Sequence, residues 1–151
     1  MKDQVNKYSI DIIIFIIANL VNVLITCIFF SRTREWERTE YVLGLIIVVL
    51  ALPVSAIVVY NFLEKREWWT ILLPLLFVLY CIVELILDYI LKIPFRNTPL
   101  LYPYITIFYL GLIALVGYSF GTGKSYGFVT LCTYFLTLFA AWYSYSQVGH
   151  G

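Results

Sequence analysis

The stretch YVLGLIIVVLALPVSAIVVYNFL, from Tyr41 to Leu63, decides the fold of this chain. It contains no charged residue, although charged residues flank it on both sides. The apolar core of a lipid bilayer is about 30 Å thick, and an α-helix of about 20 apolar residues crosses it. We therefore predict a transmembrane helix over residues 41–63, kinked near its middle because Pro53 removes one backbone hydrogen bond.

Four further apolar runs follow the same pattern on either side of this stretch. Inside lipid every backbone polar group must find a partner within the protein, and a helix satisfies this requirement. The runs show no strand-like alternation, which argues against a β-barrel. The predicted fold class is all-α, a polytopic transmembrane bundle of five helices over residues 8–30, 41–63, 68–91, 104–120 and 128–146.

The connecting segments differ in composition from the apolar runs. Residues 31–40 and 64–67 are rich in charge, and residues 92–103 contain three prolines. Residues 121–127, GTGKSYG, contain three glycines and a lysine, so we predict a non-helical connection there. With this connection the fourth helix is short for a full membrane span.

Composition supports a membrane location for the whole chain. The 151 residues are 62% hydrophobic and 13% charged, whereas soluble domains are about 45–50% apolar and about 25% charged. We expect one transmembrane domain over residues 1–151 with no soluble domain, integral to the cell membrane and multi-pass, with the lipid bilayer as its first partner. The net charge of +1 gives no basic field for nucleic acid.

Residue types that carry cofactor or catalytic chemistry are sparse. The only histidine is His150, which excludes a haem held by two histidines in one chain and a zinc site built on histidines. The three cysteines are far apart in sequence, and no C-x-x-C pair is present. The GTGKS segment lacks the first glycine of a phosphate-binding loop, because Tyr118 stands there. We expect no cofactor and no metal, and an enzyme is the least favoured class.

The orientation of the chain is left open by its charges. With five spans, five basic residues fall on each side of the membrane. The positive-inside rule therefore favours neither orientation, and a dual topology fits the same balance.

Glu84 is the strongest candidate for a functional side chain inside the bundle. It lies in the second half of predicted helix 68–91, roughly 7 Å from the bilayer centre at about 1.5 Å per residue. Ionisable groups at this depth are costly and usually face the protein interior. Loss of water disfavours the charged carboxylate, so Glu84 is expected to hold or exchange a proton near neutral pH. A structural hydrogen bond to a neighbouring helix is the alternative.

Asp88 follows Glu84 by one helical turn on the same face. At roughly 13 Å from the bilayer centre it is shallow enough to pair with Lys92 at the interface. This depth favours the interfacial ion pair, and a place behind Glu84 in the same candidate site is the alternative.

Other polar residues fall in the same predicted half of the bilayer as Glu84. They come from the first helix, with Asn19 nearer the centre, and from the fourth helix. If they converge, they form a concave site with few polar groups among apolar walls. For the polar stripe of the first helix alone, the favoured use is hydrogen bonding between helices, each bond contributing about 0.6–2 kcal/mol. The predicted polar site comprises Glu84, Asp88, Asn19, Asn22, Thr26, Thr106 and Tyr109.

Small residues recur at close spacing along the fourth helix. Gly117 and Gly121 form a small-x-x-x-small pair, which Ala114 and Gly111 extend backwards. Such residues let two helices approach closely. We predict packing within the chain, with contact between subunits of a homo-oligomer as the alternative.

Two functions fit these features. The first is a small transporter, channel or exchanger in which Glu84 responds to a proton or cation. The second is a non-catalytic membrane module that binds a lipid, a small apolar ligand or a partner protein. Loss of flux on replacing Glu84 would favour the first, whereas stabilisation by an apolar ligand independent of Glu84 would favour the second.

Overall fold

The computed structural model describes residues 2–95 and 98–149, with side chains from residue 7 onward. Arg96 and His150 lie outside the described residues. Within those ranges the chain is all-helical, without a strand, and it forms five helices in the predicted order. They are α1 (Lys2–Arg32), α2 (Glu37–Leu63), α3 (Trp69–Glu84, continued as a π-helical segment over Leu85–Ile90), α4 (Leu101–Thr122) and α5 (Lys124–Val148).

The helices extend further into the charged connections than the apolar runs predict. α1 ends at Arg32 and α2 begins at Glu37, so only four residues of the predicted 31–40 loop lie outside helices. Arg32 lies in the last turn of α1, and Glu37 and Glu40 lie in the first turn of α2. Each charge is opposite in sign to the helix dipole at that end and therefore stabilises the extended helix. α2 runs unbroken through Pro53. All five helices are long and apolar enough to span a membrane.

The prediction of a non-helical connection over residues 121–127 is wrong. α4 continues to Thr122, α5 begins at Lys124, and only Gly123 separates them. Gly123 adopts an extended backbone, with φ 168° and ψ 151°, so one residue is enough to reverse the chain. The fourth helix is consequently not short, because it gains residues at both ends and spans 22 residues.

The end of α3 also departs from the regular helix predicted over residues 68–91. Residues Leu85–Ile90 form a π-helix, in which the backbone N–H of Leu91 donates to the carbonyl of Ile86 at 2.8 Å. π-Helical turns are rare and are frequent at functional sites, because they rotate side chains relative to a regular helix. The wider turn begins directly after Glu84.

Short connections make neighbouring helices antiparallel, so the bundle has two distinct ends. We call the end where α1 begins the near end, and the end where α1 finishes the far end. At the near end, Asp11 of α1 contacts Arg66 from the α2–α3 turn and Tyr118 from α4. At the far end, Arg32 of α1 pairs with Glu40 of α2. α1 and α4 are central, and each packs against three other helices.

Three glycines of α4 lie against α3. A methyl group added at Gly111 would lie 3.3 Å from the Cα atom of Phe77, and one at Gly121 would overlap the ring of Trp69. A methyl group added at Gly117 would lie 3.5 Å from the Cδ1 atom of Leu73, which is an ordinary contact distance. Ala114 is buried. The glycines therefore permit close approach of two helices within one chain.

Candidate functional site

A cavity of about 750 Å³ occupies the far end of the bundle. Each of the five helices contributes to its wall, because α1, α3 and α5 end at the far end while α2 and α4 begin there. Ile25 and Phe29 stand on the α1 side, and Leu138 and Ala141 on the α5 side. The cavity is comparable in size to ligand pockets, which are about 300–1,000 Å³.

Glu84 lies in the wall of this cavity and is buried. The hydroxyl of Tyr104, on α4, donates a hydrogen bond to its Oε2 atom. Asp88 and Tyr89 line the same cavity from the π-helical segment. A residue four or five positions after Glu84 stays on the same side when the helix widens, so the π segment keeps these side chains at the cavity.

Aromatic rings form much of the wall. Tyr80 and Phe108 meet edge to face with centroids 5.2 Å apart, and Tyr104 stacks near Phe108 at 6.4 Å. These arrangements match the geometry that aromatic pairs prefer. Nine of the lining residues in the described part of the chain are aromatic: Phe29, Tyr41, Tyr80, Tyr89, Tyr104, Phe108, Tyr109, Trp142 and Tyr145.

Charged side chains also line the cavity. Among the described residues that line the cavity, four are acidic and one is basic: Glu37, Glu40, Glu84, Asp88 and Arg32. The guanidinium of Arg32 donates to Oε2 of Glu40 at 3.2 Å. Glu37 is exposed, Glu40 and Asp88 are half-buried, and Glu84 is buried. The carboxylates thus stand at different depths, from the rim to the interior.

The polar stripe of α1 lies elsewhere. Asn19, Asn22 and Thr26 face α5 and do not line the cavity. The amide of Asn22 donates to Oγ1 of Thr133 at 3.0 Å, and the hydroxyl of Thr137 donates to the backbone carbonyl of Asn22 at 3.0 Å. The result is a ladder of hydrogen bonds that joins α1 to α5.

The two predicted site residues of α4 diverge. Tyr109 lines the cavity and contacts Phe108 edge to face at 4.9 Å. Thr106 is exposed on the outer surface, where its hydroxyl donates to the carbonyl of Tyr102 one turn earlier. The structure therefore brings Glu84, Asp88 and Tyr109 to one cavity and leaves Thr106 outside it.

The near end holds a second polar cluster. The guanidinium of Arg66 donates hydrogen bonds to both carboxylate oxygens of Asp11, at 2.9 and 2.8 Å. The hydroxyl of Tyr118 donates to the same carboxylate at 2.6 Å. Arg66 also reaches the side chain of Asn61 at 3.1 Å, and Asn61 donates to the carbonyl of Thr70. The hydrogen bonds to Asp11 raise the pKa of Arg66, so this side chain remains charged.

Sequence reasoning missed several members of both sites. Tyr104 stood in the predicted fourth helix without an assigned partner, although a tyrosine at that depth is a natural donor to a carboxylate. Asp11 and Arg66 carry opposite charges at the same end of a five-span bundle, and this was the available signal for their pairing. Among the described residues, no three histidine, cysteine, aspartate or glutamate side chains group to hold a metal ion.

Comparisons with protein-family models, with curated proteins and with solved structures gave no match to this chain.

Proposed function

We propose that the chain is an integral membrane protein that crosses the cell membrane five times. The distribution of side chains supports this, because many apolar side chains face outward whereas several polar side chains are buried. Leu52 is 69% exposed and Leu136 57%, whereas Asn61 and Thr137 are 0% exposed. Lipid tolerates outward-facing leucine, and buried amides and hydroxyls join helices inside membranes. Each helix contains an 18-residue apolar stretch, and the mean hydropathy of these stretches ranges from 1.3 to 3.0.

Within that membrane setting, we propose that the protein is a small transporter in which Glu84 binds and releases a proton or cation. The observation that carries this proposal is a buried carboxylate in the wall of a large cavity. Intramembrane carboxylates are costly, and they recur on ion pathways and in proton relays. Asp88 stands between Glu84 and the rim on the same helix and gives the carboxylate a route to the aqueous side.

Closure of the near end supports alternating access. The Asp11–Arg66–Tyr118 cluster lies at the near end of the bundle, opposite the cavity. A solute that enters from the far end would leave only after these contacts rearrange. In this proposal the charged cluster acts as the closed gate, and Glu84 is loaded from the open side.

The aromatic wall favours a second candidate, a non-transporting module that binds an apolar molecule. Nine aromatic side chains among the described lining residues would hold such a ligand without help from Glu84. The two candidates differ in whether the carboxylate is essential.

The test is flux in proteoliposomes. Purified wild-type protein, Glu84→Gln and Glu64→Gln would be reconstituted with a pH-sensitive dye inside, and proton movement measured under imposed pH and cation gradients. Glu64 is an exposed carboxylate near the near-end turn, so its amide is the matched control.

We expect flux in the wild type and in Glu64→Gln, and none in Glu84→Gln. Absence of flux in the wild type under every gradient would overturn the transport proposal. Flux that survives in Glu84→Gln would remove Glu84 from the mechanism.

A further inference from the structure

We propose that the far-end cavity holds the alkyl tail of a membrane lipid, which enters from the bilayer between α4 and α5. This tail site rests on the proposed membrane location and deepens the second candidate function, the binding of an apolar molecule. Three features of the cavity support it: the separation of charged from uncharged wall, the direction and depth of the cavity, and its continuity with the outer surface of the bundle.

Charged and uncharged side chains of the wall stand on different helices. The four acidic lining residues of the described chain belong to α2 and to α3 with its π segment, and Arg32 is in the last turn of α1. An uncharged wall gives an alkyl tail dispersion contacts without taking a charge out of water. None of the described lining residues from α4 and α5 is charged: Leu101, Tyr104, Ile105, Phe108, Tyr109, Leu138, Ala141, Trp142 and Tyr145.

The cavity runs along the helix axes. Its lining residues fall within 25–32 on α1, 101–109 on α4 and 138–145 on α5. At about 1.5 Å per residue, each of these stretches extends roughly 10–12 Å from the far end toward the middle of the bundle. One leaflet contributes about 15 Å to the apolar core of a bilayer. The cavity therefore lies at the level of the lipid tails and parallel to the helices that cross them.

The uncharged wall is continuous with the outer surface of the bundle. Trp142 lines the cavity although it is exposed, and its ring meets that of Phe139, on the outer face of α5, with centroids 5.9 Å apart. Ile105 of α4 likewise lines the cavity and is exposed. The described hydrogen bond and ring contact that join α4 to α5 lie close to the Gly123 turn, at the near end. A tail in the bilayer can thus reach the cavity between these two helices.

Aromatic side chains at the rim set the direction in which a lipid would bind. Trp142 and Tyr145 lie near the end of α5 and line the cavity. In membrane proteins such amphipathic rings sit at the level of the lipid headgroups. A lipid with its head at this level directs its tail inward, toward Ile25 and Leu138 at the deep end.

The test is photolabelling in liposomes. The full chain would be reconstituted in phosphatidylcholine containing a small fraction of a phosphatidylcholine with a diazirine on the terminal carbon of one tail, and the adducts mapped by mass spectrometry. Ile25 and Phe108 are the diagnostic positions, because they line the cavity and are buried from the surrounding bilayer. Leu136, exposed on the outer face of α5, reports contact with that bilayer.

Ala141→Phe fills the cavity from α5, and Leu136→Phe adds the same ring on the outer face of the same helix as the matched control. We expect adducts on Ile25 and Phe108 in the wild type and in Leu136→Phe. They should fall at least about fivefold in Ala141→Phe, because a filled interior leaves no room for a chain. Adducts on Leu136 should persist in Ala141→Phe.

Absence of adducts on both diagnostic positions in the wild type would overturn the tail site, as would diagnostic adducts that are unchanged in Ala141→Phe. If Ala141→Phe fails to fold, Leu138→Phe, at a half-buried lining position, takes its place.

The outcomes separate the tail site from the functions proposed above. A photoreactive sterol that labels Ile25 and Phe108 where the phosphatidylcholine does not would overturn the alkyl tail and retain a module that binds an apolar molecule. Proton flux that depends on Glu84, in a protein whose cavity takes no tail, would overturn the tail site and retain transport. Diagnostic adducts in a protein without flux would support the tail site and overturn transport.

Discussion

The Asp11 carboxylate accepts hydrogen bonds from two groups of Arg66 and from the hydroxyl of Tyr118. It thereby ties α1 to the α2–α3 turn and to the end of α4. The side chains of Asp11 and Arg66 are only 13% and 11% exposed. Because charge-assisted bonds to a shielded pair are stronger than neutral ones, this cluster should contribute measurably to stability.

Asp11→Asn should destabilise the protein by about 1.5–3 kcal/mol, because Arg66 loses its charged, bidentate hydrogen-bond acceptor. This corresponds to a fall in the thermal midpoint of roughly 3–12 °C for a chain of this size. Thermal unfolding followed by circular dichroism in detergent would measure it. Glu64→Gln removes a carboxylate that is exposed nearby and should shift the midpoint by less than about 2 °C. Equal midpoints for the two variants would contradict the role given to Asp11.

Glu84, at the far end, lies in the wall of a cavity, whereas Asp11 lies within a cluster of hydrogen bonds. Its neighbours are aromatic, and Tyr104 supplies a hydroxyl to the carboxylate. A carboxylate held among aromatic rings at a cavity wall is sensitive to what enters the cavity. For this reason the transport proposal depends on Glu84, and the stability prediction depends on Asp11.

At the scale of the elements, the contact between α3 and α4 depends on glycine. Gly111 faces the Cα atom of Phe77, the Cβ atom of Tyr80 and the backbone oxygen of Leu76, so the space for a methyl group is bounded largely by backbone. Gly117, nearly two turns later, faces the terminal carbon of a leucine side chain. The two positions lie on one helix but differ in what must move.

Gly117→Ala should be neutral or stabilising by up to about 1 kcal/mol, because alanine favours the helix and the methyl group fits. Gly111→Ala should be destabilised relative to Gly117→Ala by about 1–3 kcal/mol, because α3 must shift to admit the methyl group. The two midpoints measured under the same detergent conditions test the difference. A Gly111→Ala protein as stable as Gly117→Ala would show that the interface is looser than described.

The α1–α5 ladder is a different kind of contact. It consists of asparagine and threonine side chains that form hydrogen bonds across the interface or with a backbone carbonyl of their own helix. Such bonds fix the register of two apolar helices that would otherwise slide against each other. The polar stripe of α1 thus belongs to an interface, and the cavity depends on it only through the placement of the helices.

At the scale of the whole molecule, the proposed five-span arrangement would place the α1–α2 and α2–α3 connections on opposite sides of the membrane. Arg34→Cys and Glu64→Cys, each introduced alone into a variant without the three native cysteines, would show in intact cells which side of the membrane each connection occupies. A membrane-impermeant maleimide should label one position and spare the other.

Full labelling of both positions would contradict the five-span arrangement. Labelling of each by about half would instead indicate two orientations in the same membrane, which the even division of basic residues also allows.

The number, order and approximate limits of the helices followed from the sequence. Long apolar runs and charged connections are local properties, so they can be recognised without knowing what the helices touch. The glycine-rich connection misled the prediction, because three glycines and a lysine resemble a loop whereas only Gly123 leaves the helix. The π turn after Glu84 had no signal in the sequence.

The sequence by itself determined the all-helical class of the fold, the position of Glu84 along its helix and the small-residue face of α4. Each depends on spacing along one element, and spacing fixes which residues share a face. Tertiary structure decided which faces meet. It separated Asn19, Asn22 and Thr26 from the cavity, because the rotation of α1 turns them toward α5. It also joined Glu84 to Tyr104, because rotations about helix axes depend on the packing of all five helices together.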